Sequence, residues 1–295
     1  MESWRLHKRL FASFAAAPIL WLLFFFILPL GIVWLYSFGE TVSSTEVALS
    51  GTLSNYAKAL DPLYLKIFGK SVAIAALTTA LCLVIGFPVA LAIVFAPDKW
   101  RGWLLMLVML PFWTNLLIRT YALIAVLRTQ GTVNAVYENF WGGLSGLKTL
   151  LGLAPLSSFE PLELLYNNSA VVVGLVYVHL PFMVLPLYAA LDRLDRSLIE
   201  ASLDLGAGHL RTLNRIVVPL ASAGIWSGII ITFVPALGAY LTPDMLGGTD
   251  NQMIASVIER QFKRANDWPF GAALSFLLIY ATFILIALQS LRSQK

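Results

Sequence analysis

The sequence predicts an all-α integral membrane protein with six transmembrane helices, and three observations support this fold class. Hydrophobic residues make up 59% of the chain and charged residues 12%, whereas soluble proteins carry about 25% charged residues. Apolar runs of about 20 residues, long enough to cross a hydrocarbon core of about 30 Å, occur six times. Because backbone groups in lipid must find hydrogen-bond partners within their own segment, each run is expected to be a helix.

The spans are expected in a single membrane domain covering 1–295, near residues 17–38, 71–96, 103–127, 169–191, 220–242 and 271–291. The first span follows Arg5, Lys8 and Arg9, an arrangement that signal peptides share. A signal peptide has an apolar core of about 7–15 residues and a small-residue cleavage site. This run is longer and lacks such a site, so we expect a retained membrane anchor.

Spans two and three are joined only by residues 97–102 and are expected to be antiparallel neighbours. The third span contains Arg119, the one charged residue away from a span end. Intramembrane charges are functional candidates by default. Two interpretations are open: Arg119 faces a translocation cavity or an acidic partner in a structural or gating role, or it snorkels outward as an anchor.

Proline and glycine interrupt spans three to five. The prolines are Pro111, Pro181, Pro186, Pro235 and Pro243. The fifth span also contains Gly224, Gly228 and Gly238, which makes it the most interrupted. Broken helices often line substrate paths in transporters, and small residues also allow close helix packing; the two roles are compatible.

The distribution of Lys and Arg predicts the orientation. With the N-terminus inside, eleven of them fall in the 54 cytoplasmic residues, which are 1–16, 97–102, 192–219 and 292–295. The opposite loops hold eight in 101 residues. Because cytoplasmic loops are enriched in these residues, both termini are expected in the cytoplasm.

The outward-facing loops 39–70 and 128–168 are long and rich in Gly, Pro, Ser and aromatic residues, which suits a docking surface. In the third outer loop, 243–270, the periodicity of residues 253–262 predicts a short helix at the membrane interface.

The cytoplasmic loop 192–219 contains a short helix with its own caps. Ser197 and Glu200 form an S-x-x-E capping box, in which the hydroxyl and the carboxylate satisfy amides at the helix start. Gly206 stands where a helix ends with a left-handed residue. A helix near 198–205 is therefore expected, lying on the cytoplasmic surface.

This stretch resembles the EAA motif of bacterial ABC importer permeases, E-A-A-x3-G-x9-I-x-L-P. The matching residues are Glu200, Ala201, Gly206, Ile216 and Pro219, while Ser202 replaces Ala and Val218 replaces Leu. In that family the motif forms a coupling helix that sits in a groove of the ATPase. The resemblance implies ATPase-coupling roles for these residues, Ser202 included; a surface amphipathic helix without special function is the alternative.

The resemblance extends to spermidine/putrescine permeases over roughly residues 18–290. It is carried by residues 111–114, 118–122, 181–188, 237–240, 243–248 and 267–273. It implies a type I (MetI-like) importer permease fold in the bacterial cytoplasmic (inner) membrane. It also implies partners: a second, homologous permease subunit in a heterodimer, a dimer of separate ATPase subunits, and a substrate-binding protein outside.

The patterns of common enzyme classes are missing. No G-x-x-x-x-G-K-[ST] run occurs, so ATP hydrolysis falls to another subunit. Cys82 is the single cysteine, and His7, His179 and His209 are scattered, so neither a cofactor nor a metal site is predicted. His179 is either a functional group or a packing histidine. The net charge of +4 is explained by the cytoplasmic loops and predicts no nucleic-acid partner.

The resemblance implies a polyamine cargo, and the residues are consistent with it only in part. Polyamines favour carboxylates and aromatic faces, because each cation–π contact contributes about 0.5–2 kcal/mol. Asp244, at the outer mouth of span five, is the best acid, or else a solvated interfacial charge; Arg119 would suit an anion better. Candidates for the substrate pathway or its gate are Trp113, Arg119, Tyr121, Tyr240 and Asp244. Ferric iron, phosphonates, opines and amino-acid-like solutes are alternative cargos.

Two other function classes fit less well. A secondary transporter or channel would need an intramembrane acid or a histidine relay for ion coupling, and Arg119 with His179 makes a poor relay. An integral membrane enzyme would need polar groups clustered at one depth, and none is visible.

The expected mechanism is that closure of the ATPase subunits moves helix 198–205 as a lever on spans four and five.

Overall fold

The computed structural model describes residues 8–43, 46–152, 154, 157–248 and 251–293. Arg5, His7 and Lys295 lie outside these described residues. The chain divides into two compact units, one formed by residues 1–65 with 257–295 and the other by residues 66–256.

The described chain is helical apart from one small hairpin. In chain order its elements are α1 (Lys8–Leu22), a π-helical turn π1 (Leu23–Ile27), α2 (Leu28–Tyr36), β1 (Glu40–Ser43), β2 (Glu46–Ala48), α3 (Ser54–Ala59), α4 (Pro62–Phe95), α5 (Asp98–Trp113), α6 (Leu116–Leu127), α7 (Thr132–Leu150), α8 (Asn168–Leu191), α9 (Arg196–Asp204), α10 (His209–Thr212), π2 (Leu213–Val217), α11 (Val218–Leu220), α12 (Ser222–Leu237), α13 (Leu241–Leu246), α14 (Ile254–Arg260), π3 (Gln261–Ala265) and α15 (Trp268–Ser293).

Four helical stretches of the described chain are long and apolar enough to cross a membrane, and the number rises to six when each of two bent pairs counts as one span. The four are Ala12–Tyr36, Pro62–Phe95, Asn168–Leu191 and Trp268–Ala287. They correspond to predicted spans one, two, four and six. The predicted short helix at 253–262 is present as α14 followed by π3.

The third span is not the continuous helix predicted at 103–127. Its helix α5 ends at Trp113, and the chain turns by 94° before the helical stretch Leu116–Leu150. Thr114 and Asn115 between them are extended, and the Asn115 side chain caps α6 by accepting a hydrogen bond from the Leu117 amide at 2.8 Å. The start of α6 has a local cause, because Asn is a favoured N-cap residue.

The fifth span also differs from its prediction at 220–242. Its helix α12 ends at Leu237, after Pro235, and residues beyond Gly238 form the separate short helix α13. The stretch His209–Leu220 meets α12 at 69°. Span five is therefore an interrupted structure that continues from the loop 192–219.

Glycines bring α12 close to α8 in the unit of residues 66–256. A Cβ atom at Gly224 would lie 2.7 Å from the Pro186 carbonyl oxygen, and one at Gly228 would lie 2.7 Å from Met183 Sδ. Met183 is fully buried in the core cluster that α4 and α8 share. Small residues thus hold spans four and five in direct backbone contact, as expected for packing in membranes.

In the unit of residues 1–65 and 257–295, polar contacts link α2 and α3 to α15 and to the residue before it. Lys58 Nζ lies 3.3 Å from Asp267 Oδ2 and 4.0 Å from the centroid of the Phe270 ring. Trp34 of α2 donates a hydrogen bond from Nε1 to the Tyr280 hydroxyl at 2.9 Å. These contacts connect the first and last spans within this unit.

Candidate functional site

Helix α9, in the loop 192–219, begins with a different cap from the one predicted. Asp195 is the N-cap residue, and its carboxylate accepts a hydrogen bond from the Ser197 amide at 3.0 Å. Ser197 and Glu200 therefore lie inside the helix and form no capping box; the helix is Arg196–Asp204 instead of 198–205. Hydrogen bonds from Ser197 hold the pKa of Asp195 below its usual range, because they favour the charged carboxylate.

The end of α9 is as predicted. Gly206 has φ +81°, in the left-handed region. The Gly206 amide donates to the Leu203 carbonyl at 2.9 Å, and the Ala207 amide donates to the Ser202 carbonyl at 3.1 Å. These two bonds form a Schellman motif, which satisfies carbonyls at the helix end.

A buried hydrogen bond holds α9 against the next helix. The hydroxyl groups of Ser202 and Thr212 lie 2.9 Å apart, and both residues are buried. Ser202 is the residue that departs from the EAA pattern, and it contacts α10 in place of the apolar packing that an alanine would provide. The opposite side of this helical pair is open: Glu200 and Ala201 are exposed, and Leu205 and Leu210 are 88% and 76% exposed.

The chain continues from α9 directly into span five. Ile216 is half-buried in π2, and Pro219 is exposed at the second position of α11. Val217, between them in sequence, is buried in the core cluster. The matched residues of the motif therefore lie on one connected path, from the exposed face of α9 to the start of α12.

Two arginines, one of them in α9, make contacts at the C-terminal end of α4. Arg196 donates a hydrogen bond from Nη2 to the Val94 carbonyl at 3.2 Å. Arg101 donates from Nε to the Ala96 carbonyl at 3.1 Å, and its Nη1 lies 3.6 Å from Asp192 Oδ1. In the prediction from sequence, both arginines contributed only to the count of positive charges on the expected cytoplasmic side. No local pattern indicates their contacts. We call Arg101 and Arg196 the arginine clamp.

Arg119 follows the break in span three and is buried. Its exposed fraction is 9%, and among the described residues its Nε and Nη1 atoms have no hydrogen-bond partner. It lies close enough to His179 on α8 for an electrostatic interaction. The side chain is thus enclosed by other parts of the described chain, and its inward-facing role stays a prediction.

The other pathway candidates differ from Arg119 in their exposure. Trp113 and Tyr121 are exposed on α5 and α6. Tyr240 is also exposed and precedes α13, in which Asp244 is half-buried. His179 is buried, and its Nδ1 donates to the Leu175 carbonyl at 2.8 Å. Since a carbonyl only accepts, Nδ1 carries the proton, and this bond suits a packing histidine.

Within the described ranges, no group of three or more His, Cys, Asp or Glu residues is placed to hold a metal ion. The polar groups that the structure does concentrate are hydrogen-bonding and charged side chains around α9.

The fold of this chain is shared with membrane proteins of known structure. Two solved structures of bacterial ABC transporters for alginate, the second in complex with an alginate pentasaccharide-bound periplasmic protein, match this chain with TM-scores of 0.70 and 0.69. The matches cover 100% and 98% of this chain, and 99% and 96% of those chains. At 14% and 15% sequence identity they show a common fold.

The chain belongs to the family described as the binding-protein-dependent transport system inner membrane component, whose model matches residues 82–293. The spermidine/putrescine transport system permease protein PotB of Escherichia coli K12 is 40% identical over 258 residues, covering 88% of each chain. PotB of Haemophilus influenzae is 36% identical, covering 90% of this chain and 88% of its own. The E. coli inner membrane ABC transporter permease protein YdcU is 30% identical, covering 92% and 84%.

Proposed function

We propose that this chain is the permease subunit of an ATP-driven importer for polyamines, with putrescine and spermidine as substrates. The observation that carries the cargo is the 40% identity to the E. coli spermidine/putrescine permease, which extends over 88% of both chains. Family membership supports dependence on a binding protein, and this leaves the secondary-transporter alternative without support.

The proposed assembly contains a second, homologous permease in a heterodimer, two ATPase subunits and a periplasmic substrate-binding protein, all in or on the inner membrane. The ATPase is expected to contact the exposed face of α9 that contains Glu200 and Ala201. The excess of Lys and Arg near this helix supports a cytoplasmic location for α9 and for both termini.

In the proposed coupling step, closure of the ATPase subunits moves α9 as a rigid lever. Its Schellman end at Gly206 and the Ser202–Thr212 hydrogen bond fix α9 to α10. The path through Ile216 and Pro219 then transmits the movement to α12, whose glycines contact α8. Movement of the two packed helices would switch the cavity between outward and inward access.

Trp113, Tyr121, Tyr240 and Asp244 are proposed to contribute to the substrate pathway, since exposed aromatic faces and a carboxylate suit an amine. Arg119 is proposed to act in gating and not in binding. Its positive charge would repel a polyamine, and its two unpartnered nitrogens among the described residues indicate that another conformation provides an acceptor.

Uptake of labelled putrescine and spermidine tests the proposal. A deletion strain would carry the wild-type gene, a Gly206→Trp variant or no gene, with unlabelled phosphonates and amino acids as competitors. We expect uptake only with the wild type, competed by amines alone. Amine uptake that is independent of the gene, or competition by phosphonates, would transfer the cargo to one of the alternatives and leave the importer fold unchanged.

A further inference from the structure

Arg196 satisfies a free carbonyl at the end of the second span. The last carbonyls of a helix lack intrahelical partners and carry a partial negative charge. Val94 is the second-to-last residue of α4, and its carbonyl accepts the hydrogen bond from Arg196, 102 residues further along the chain. The Arg196 guanidinium carbon also lies 5.9 Å from the centroid of the Phe95 ring, within the range of a cation–π contact.

Arg101 makes the second link, from the start of α5 to the junction between α8 and α9. Besides its hydrogen bond to the Ala96 carbonyl, Arg101 forms ion pairs with Asp98 of its own helix, at 3.3 Å, and with Asp192, at 3.6 Å. Asp192 directly follows α8. The side chain of Arg101 is 23% exposed and that of Asp192 is 42% exposed, so solvent partly screens this ion pair.

The packing beneath the clamp is incomplete. A cavity of about 160 Å³ lies at this position, lined by both arginines, Asp192, and apolar residues that include Phe95, Leu191 and Ile199. Apolar contact alone therefore does not fill the space between α9 and the end of α4. The Arg196 bond to Val94 therefore adds to the Ser202–Thr212 hydrogen bond in positioning α9.

We infer that Arg101 and Arg196 are positioning residues that connect the coupling helix to the second span. The inference rests on the proposed coupling function. Movement of α9 then reaches span five through the chain and span two through the clamp. Without the clamp, α9 moves with the ATPase but α4 does not move with α9. ATP is then hydrolysed without transport of the substrate.

The test uses the complete complex in proteoliposomes, with ATP hydrolysis and uptake of labelled spermidine measured in the same preparation. The variants are Arg196→Ala, Arg196→Lys and the control Arg193→Ala. Arg193 is exposed in the same loop, and the described residues provide it with no hydrogen bond or ion pair. We expect Arg196→Ala to raise the ATP used per spermidine imported by about tenfold, with Arg196→Lys intermediate because an ammonium still donates to the Val94 carbonyl.

A charge exchange separates positioning from a folding defect. The single variant Arg101→Asp is expected to be uncoupled, and Arg101→Asp with Asp192→Arg is expected to regain part of the coupling. An unchanged ratio in Arg196→Ala, or loss of assembly that the exchange does not restore, would overturn the inference.

Hydrogen exchange of the α9 amides gives a measurement that is independent of cargo. Exchange in α9 is expected to be faster in Arg196→Ala than in Arg193→Ala, because the clamp restrains the helix. Equal exchange rates in the two variants would refute the clamp even if spermidine transport is intact. If the wild-type protein transports no amine while exchange is still faster in Arg196→Ala than in Arg193→Ala, only the proposed cargo is refuted.

Discussion

Ser202 and Thr212 form a buried hydroxyl–hydroxyl hydrogen bond of 2.9 Å between α9 and α10. Each single change, Ser202→Ala or Thr212→Val, leaves one buried hydroxyl without its partner. We expect either to reduce stability by about 1–3 kcal/mol and the double variant to be close to the wild type. Thermal unfolding of the four proteins in detergent measures this cycle; additive losses would show that the hydroxyls are not coupled.

Gly206 is expected to tolerate no ordinary side chain because of its backbone conformation. Its φ is +81°, although a Cβ there would meet no atom within 4 Å. A left-handed L-residue costs about 1–2 kcal/mol, so Gly206→Ala should lower uptake relative to ATP hydrolysis, and Gly206→Asn should do so less. Gly208→Ala is the matched control, since its φ is −71° and its surroundings are also open. A Gly206→Ala transporter as well coupled as the control would contradict the lever.

The two glycines between spans four and five should differ in sensitivity. At Gly224 a new Cβ meets the Pro186 backbone carbonyl, which is fixed, whereas at Gly228 it meets the flexible end of Met183. We expect Gly224→Ala to lose about 1–3 kcal/mol of stability and Gly228→Ala less. Thermal unfolding checks the order against Gly102→Ala, a helical position with no atom within 4 Å of the added carbon. The reverse order would show that α12 does not approach α8 in this way.

Replacement of Arg119 should affect transport more than assembly. Arg119→Met removes a buried charge that lacks partners for Nε and Nη1 among the described residues. The variant is expected to remain as stable as the wild type and to lose uptake by about tenfold or more, because the conformation that pairs the charge loses its stabilising contact. Uptake together with co-purification of the partner subunits measures both effects. Unchanged transport and assembly would remove the gating role.

The Asp195 cap predicts a dependence on acid pH. Because its pKa is below its usual range in the folded chain, its contribution to stability is present above the ordinary aspartate pKa of about 3.9. The contribution is lost as the pH falls through the lower, folded-state pKa. Asp195→Asn retains a capping oxygen that does not titrate, so the wild-type unfolding temperature should fall below that of the variant only in this acid range. Parallel curves down to pH of about 3 would contradict the cap.

Local sequence patterns predicted the positions of the spans and the end of α9, but they did not predict the break in span three or the start of α9. Spans follow from runs of apolar residues, and the left-handed end of α9 follows from Gly206, since both are local properties. The break at Thr114–Asn115 was obscured because the apolar run continues through it while a polar side chain caps the second half. The cap of α9 was misplaced by two residues because Asp195 and Ser197 are both good caps, and only the backbone geometry decides between them.

The arginine clamp had no signal in the sequence. A count of positive charges gives Arg193 and Arg196 equal weight, yet only the second reaches the end of α4. The sequence likewise did not indicate that Ser202, where the motif has alanine, forms a hydrogen bond with Thr212. The pairing of residues that are distant in the chain depends on the packing of α4, α8 and α9, which no local pattern contains.

The first span differs from the others in how its residues are constrained. None of its most apolar window is buried within the described chain, whereas 56% of the corresponding window of α8 is buried. Exchanges among Leu, Ile and Phe in this window are therefore expected to disturb the internal packing of this chain less than exchanges in α8 do. The substitutions that the first span tolerates should therefore depend on its surroundings in the membrane. Positions that accept any apolar residue are expected to face lipid, and a stripe of positions that does not is expected to contact a neighbouring subunit.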